Sequence, residues 1–286
     1  MLSSIQLKKM NYLIAFTLLT SVFLHVEAFA LTKLVFVDDK RNEIEMNVDR
    51  KGNVHILTSP IAGDFYYKKS EEEFIFRLEG MDSFNRFALS KLKPHKAHFK
   101  KVEAKDRRIT DTAVWDIQSN GENCGVVKAS SSMVKDVGLT IADMVSINNA
   151  FAYILGDDLT ASACLNFRVN KANARQIGFP IYLSTNHGTT LLKEESLLEY
   201  GRRVIMPKGA AILTDKILQD VYLHQMPEAA RDLYLSVSHG KSNNDRLRLR
   251  AVRKSLNMVR KGEWKPKKEE VIPTFSSKAG QSTPIE

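Results

Sequence analysis

The chain predicts an α+β fold: a large curved antiparallel β-sheet, half-barrel-like, with a helical insert and a C-terminal helical extension. Three observations lead there. Short strands crowd residues 34 to 92, joined by turns too brief for crossover helices. One apolar stretch of helical period interrupts them at about 136–155. After Thr214 the period-two pattern gives way to amphipathic helical spacing.

Residues 1–30 read as a signal peptide. Lys8 and Lys9 form a positive end, and Tyr12 to Leu24 is an apolar run too short to span a bilayer. Ala28-Phe29-Ala30 supplies the small-x-small pattern of a cleavage site, so the mature chain is expected to begin near Leu31, in the periplasm. An uncleaved anchor and a buried helix are the other readings. No cysteine lies near the cut, which excludes the lipid-anchored kind of bacterial signal.

The β-rich region is expected over 31–214. Leu34 to Val37 is an apolar run, and Ile44-Glu45-Met46-Asn47-Val48 alternates as a half-buried strand does. Asp49 to Asn53 turns the chain into Val54-His55-Ile56-Leu57. Phe65-Tyr66-Tyr67 and Phe74 to Leu78 complete a β-meander. Residues 93 to 108, rich in Lys, His and Arg, read as a solvated connection or an exposed strand pair. Thr112 to Ile117 resumes strand character, and Asn120-Gly121 is a strong hairpin signal that puts Cys124 at the start of a returning strand.

The insert carries Ile141, Met144, Val145, Ile147, Phe151 and Ile154 at three- and four-residue steps. Thr140 is its expected N-cap, with Asp143 in the cap-box position, and Gly156 is its stop. Ile177 to Leu183 then leads to a tight turn at Asn186-His187-Gly188. Thr189 to Leu192 returns, and Val204-Ile205-Met206 is expected to add a strand.

The extension covers 215–262. Ile217, Leu218, Val221, Tyr222 and Leu223 predict a helical turn or two, broken or restarted at Pro227, and Ala229 to Val237 gives a second amphipathic stretch. His239 to Asn244 reads as a linker. Asp245 is placed to cap a helix through about Lys261, basic from residue 246. Residues 263–286 have few core formers and read as a disordered tail.

The ordered set Asn120-Gly121-Glu122-Asn123-Cys124-Gly125, Gly138-Leu139-Thr140 and Gly178-Phe179-Pro180-Ile181, behind a signal peptide and a meander, resembles a group of uncharacterised bacterial periplasmic proteins. More distantly, residues 31 to 210 resemble the lipoprotein-carrier type of half-barrel, whose helices cover the concave face of a curved sheet. That resemblance implies an apolar cavity for acyl chains. The chain departs from the carrier pattern in its helical insert and basic tail.

Two cysteines remain after residue 30. In an oxidising compartment Cys124 and Cys164 read as a disulfide, with two buried free thiols as the alternative. Their spacing fits neither a redox Cys-x-x-Cys nor structural zinc.

The formal net charge of +9 belongs to the tail. Residues 246 to 268 hold ten basic side chains against Glu263, whereas residues 31 to 245 are nearly neutral. Arg246, Arg248, Arg250, Arg253, Lys254, Arg260 and Lys261 are therefore candidates for contact with an anionic envelope surface or an acidic protein. The alternative is a solvated helix whose apolar stripe packs on the body. Nucleic acid fits the charge but not the compartment.

Tests for chemistry return little. His95 and His98 lack a third ligand and sit among lysines, so no metal is expected. Asp157-Asp158 reads as a turn and cap rather than a calcium loop. Ser236 beside His239 lacks a nucleophile elbow, and neither a phosphate loop nor a dinucleotide fingerprint occurs. The expectation is a non-enzymatic, cofactor-free binding or carrier protein, taking an apolar or lipid-like ligand or acting through its basic segment. The sequence leaves its oligomeric state open.

Overall fold

The computed structural model describes residues 30–59, 61–102, 111–200, 203–228, 230–231 and 245–263. Residues 1–29, expected to form a signal peptide, the stretch at 103–110, the expected amphipathic stretch and linker at 232–244 and the tail from 264 lie outside the described residues. The chain divides into two compact units: Met1–Tyr153 with Asp158–Leu213, and Ile154–Asp157 with Thr214–Glu286.

The first unit is built on one open, mostly antiparallel sheet of 13 strands. Strands β1 (Ala30–Asp38), β2 (Glu43–Asp49), β3 (Val54–Ile56), β4 (Gly63–Lys68), β5 (Glu73–Leu78) and β6 (Asn85–Ala88) follow one another in space as in sequence. This is the expected meander. Strands β7 (His95–Val102), β8 (Thr112–Ser119) and β9 (Glu122–Ser130) form a second antiparallel group. Asn120 (φ 52°) and Gly121 (φ 84°) join β8 to β9 with both central residues left-handed, as a two-residue hairpin of this type requires.

Two short helices precede and end the insert's neighbourhood, and a longer one forms it: α1 (Met133–Val137), α2 (Ile141–Ile154) and α3 (Lys171–Ile177). The insert is thus not continuous from 136. Gly138, at φ +72°, ends α1, and a Cβ there meets Arg50 O at 2.8 Å. Facing it, Gly52 at φ +78° brings its own missing Cβ within 2.7 Å of Gly138 O. The β2–β3 turn and the α1–α2 junction meet backbone to backbone, an approach only glycine permits.

Strands β10 (Phe167–Arg168), β11 (Phe179–Thr185), β12 (Gly188–Tyr200) and β13 (Ala211–Ile212) complete the sheet in the order β10-β7-β8-β9-β11-β12-β1-β2-β3-β4-β5-β6-β13. β12 is the link. It joins the second group, through β11, to β1 at the head of the meander. It runs far beyond Leu192, and the strand expected at Val204–Met206 is absent there; β13 instead adds in parallel to β6. Both edge strands are two residues long, which leaves little ladder for another chain at β13.

The sheet bends around α2. Asp143 of α2 accepts a hydrogen bond from Tyr67 of β4 at 2.8 Å, while its neighbour Ala142 belongs to the buried cluster holding Val127 and Ala129 of β9. β4 and β9 are six strand spacings apart in the sheet, about 29 Å along a flat surface. Adjacent helix residues reach both only if the strands curl about the helix. Phe151 continues the contact, with ring centroids 4.9 Å from Phe65 and 5.3 Å from Phe74.

In the second unit, α4 (Asp215–His224) packs against α5 (Asp245–Arg260). Thr214 caps α4, its Oγ1 accepting from Ile217 N at 3.3 Å. Leu218, Val221 and Tyr222 of α4 and Val252 and Leu256 of α5 are buried. α4 stops at His224, before Pro227, and α5 spans the helix expected from Asp245.

Candidate functional site

The site follows from how the sequence caps and fills α2. Asp143 Oδ2 accepts from Thr140 N at 2.8 Å and from Thr140 Oγ1 at 2.9 Å, which fixes the helix start. The same oxygen takes Lys69 Nζ at 3.1 Å, and Lys69 also donates to Gly138 O at 2.5 Å. Tyr67 completes the group. Burial first, then the Asp143 charge, pushes its phenol well above the usual range, so Tyr67 stays protonated and donates. Both carboxylate oxygens are thereby engaged, and the cluster orients α2 against β4.

Beyond that anchor, α2 and the sheet do not close completely. Between them lies a cavity of about 370 Å³, in the range of small-molecule sites. Its body is apolar: Phe36 of β1, Met46 of β2, Ile56 of β3, and Ile141, Met144 and Phe151 of α2. Its charged groups gather at one end, while Asn148 and Asn149 of α2 add neutral polar groups elsewhere on the wall. Asp38, Asp39 and Lys40 come from the β1–β2 turn, and His187, Gly188 and Thr189 from the β11–β12 turn. Register explains the gathering, because Asp38 pairs with Thr190 and both turns cap the same end of neighbouring strands. From Asp38 down to the Leu34–Met46 level is four residues, about 14 Å of strand.

The mouth is already ordered by itself. Asp38 accepts from Lys40 N, Asn42 N and Asn42 Nδ2 at 2.7–2.9 Å, and the Asn42 bond leads in holding its carboxyl below the ordinary value. On the opposite wall Cys164 and Leu165 line the cavity, and the Cys124–Cys164 disulfide ties that segment to β9. Asn149, only 3% exposed, also lines it. Its Nδ2 donates to Phe167 O at 2.8 Å, and its Oδ1 has no partner among the described residues.

The carrier resemblance implied an apolar cavity, but its lining was not read from the residues, although a signal existed. Ile141, Ala142, Val145, Ile147, Ala150, Ala152 and Ile154 are all buried, so α2 is apolar around most of its circumference. A helix of that kind is covered on more than one side.

The residues singled out from sequence fall elsewhere. Arg253 Nε donates to Gly156 O at 2.9 Å and its Nη2 to Asp157 O, while Arg260 Nη1 donates to Leu155 O. These carbonyls follow the last turn of α2, where backbone acceptors are otherwise open and cations are favoured. Arg250, Lys254 and Lys261 are exposed, Arg248 is half-buried, and Arg246 lies in α5. Asp157 is drawn above its ordinary pKa by burial, against the pull of Arg260 and Arg253. Asp158 forms a turn, its Oδ1 accepting from Thr160 N at 3.0 Å and Thr160 Oγ1 at 2.8 Å.

His95 and His98 lie on strand β7, where three-residue spacing sends them to opposite faces. Among the described residues, no group of three His, Cys, Asp or Glu side chains is placed to hold a metal. Ser236 and His239 lie outside the described residues.

Fold and cavity together define an α+β protein with an open, curved antiparallel sheet wrapped on one apolar helix. Set against known proteins, the chain matches no protein-family model and no curated protein sequence. Among the described residues, no helix is long and apolar enough to cross a membrane.

Proposed function

We propose that the chain is an exported, periplasmic binding or carrier protein that takes an apolar or lipid-like ligand between α2 and the sheet. The observation that carries this reading is the polarity of the 370 Å³ cavity, mainly apolar along its body and charged at one mouth. A ligand with an apolar body and a polar end matches that gradient, because apolar area leaves water while the head stays hydrated. The disulfide is compatible with an exported protein.

The test uses 1-anilinonaphthalene-8-sulfonate and a long-chain fatty acid as its competitor. The folded protein is expected to bind the dye saturably and release it to the fatty acid. Met144→Trp, which fills the cavity from a half-buried helix position, is expected to weaken dye binding about tenfold or more with the fold retained. Dye binding unchanged in that variant, or none in the folded wild type, overturns the reading.

A further inference from the structure

A second feature lies at the β7 end of the first unit's sheet. β10 pairs only with His95 and Lys96, in parallel. β8 occupies the other side of β7 through Val102. Among the described residues, no strand covers the outer edge of Ala97–Val102. Such an edge offers a row of backbone donors and acceptors to any extended chain.

The edge is strongly basic. Lys96, His98 and Lys100 alternate along one face of β7 and are exposed, as are Lys101 and, on β10, Arg168. Arg168 stands in register with Lys96. Lys91 and Lys93 precede the strand, and residues 91 to 101 contain no acid. Among the described residues, Asp116 of β8 stands opposite Lys100 in this row.

Beside the edge lies a groove of about 200 Å³. Its apolar side is Ala97, Phe99 and Trp115, and its polar side is Asn170, Asn173 and Gln176 at α3. The Trp115 indole N–H is buried, with no hydrogen-bond partner among the described residues. A buried donor of that kind calls for an acceptor oxygen. The groove has room for about one amino-acid side chain.

We propose that β7 takes an extended acidic polypeptide segment of a partner as an added strand, with one of its side chains seated against Trp115. Backbone pairing supplies the affinity, and the lysine row and groove supply the choice of partner. The same lysines decide against a second copy of this chain. Two such edges brought together set like charge against like, whereas an acidic strand is attracted. The inference is independent of the apolar cavity.

The full chain carrying Trp264→Phe leaves Trp115 as its sole tryptophan. Its emission is followed during titration with an end-blocked six-residue peptide alternating Glu and Val, and with its Lys–Val counterpart. A saturable shift is expected with the acidic peptide only, weakening as salt rises. Lys96→Glu with Lys100→Glu, both on the solvent face, is expected to lower affinity for the acidic peptide about tenfold or more and to admit the basic one. Circular dichroism checks that the fold is intact. No shift with the acidic peptide, equal binding of both peptides, or affinity untouched by charge reversal overturns the proposal. So does a wild-type dimer in sedimentation that the reversal dissociates, since the edge is then filled by a second copy.

Discussion

His55 lies flat on Tyr66, with ring centroids 4.3 Å apart and planes 4° from parallel. Burial lowers the pKa of His55 below its ordinary 6.5, with Asp64 opposing the shift. The folded protein therefore prefers the neutral ring, and the unfolded chain takes up a proton first as pH falls. This group's contribution is fully present above pH 6.5 and is lost as pH falls through the folded value. His55→Phe keeps the stack and removes the proton. Thermal melting at pH 7 and pH 5 is expected to shift in favour of the variant on acidification; an identical pH response in both proteins rules the ring out as a source of acid sensitivity.

At the scale of elements, α2 depends on Asp143, which is 8% exposed and receives Tyr67, Lys69 and Thr140 together. Asp143→Ala leaves a lysine and a phenol without their acceptor and opens the helix start, at a cost of about 3 kcal/mol. Urea denaturation measures it, and a loss below about 1 kcal/mol rejects the anchoring role. The capping pair was legible in the sequence, because a cap is a local event four residues long. The meander and the Asn120-Gly121 hairpin were legible for the same reason. β12 was not. Its Lys193-Glu194-Glu195 run reads as solvent, and the strand holds because β1 pairs along its length. Val204–Met206 has strand composition but no neighbouring ladder, so propensity alone misplaced the strand.

For the whole molecule, the disulfide joins positions 40 residues apart and fixes the segment after α2 to β9. Cys124→Ser is expected to cost about 3–4 kcal/mol in the chain-entropy account. The remaining Cys164, 4% exposed, is expected to react with thiol reagents only after unfolding. Equal denaturation midpoints for oxidised and reduced wild type remove the bond from the stability account. The pairing was legible because two cysteines leave one partner each. The cavity was expected through a resemblance alone and its lining was not legible, since that depends on how far 13 strands curl about one helix, a quantity no local pattern encodes.

That β1 lies inside the sheet has a consequence in time. Once residue 88 has been made, each later strand of the meander can pair with the one before it. β1 must wait for its second neighbour, residues 188–200, and β6 for the two residues of β13. Until the chain is long enough to supply them, its first strand keeps one side unsatisfied. Closing the sheet therefore waits on pairings between segments more than a hundred residues apart, the slowest kind to form.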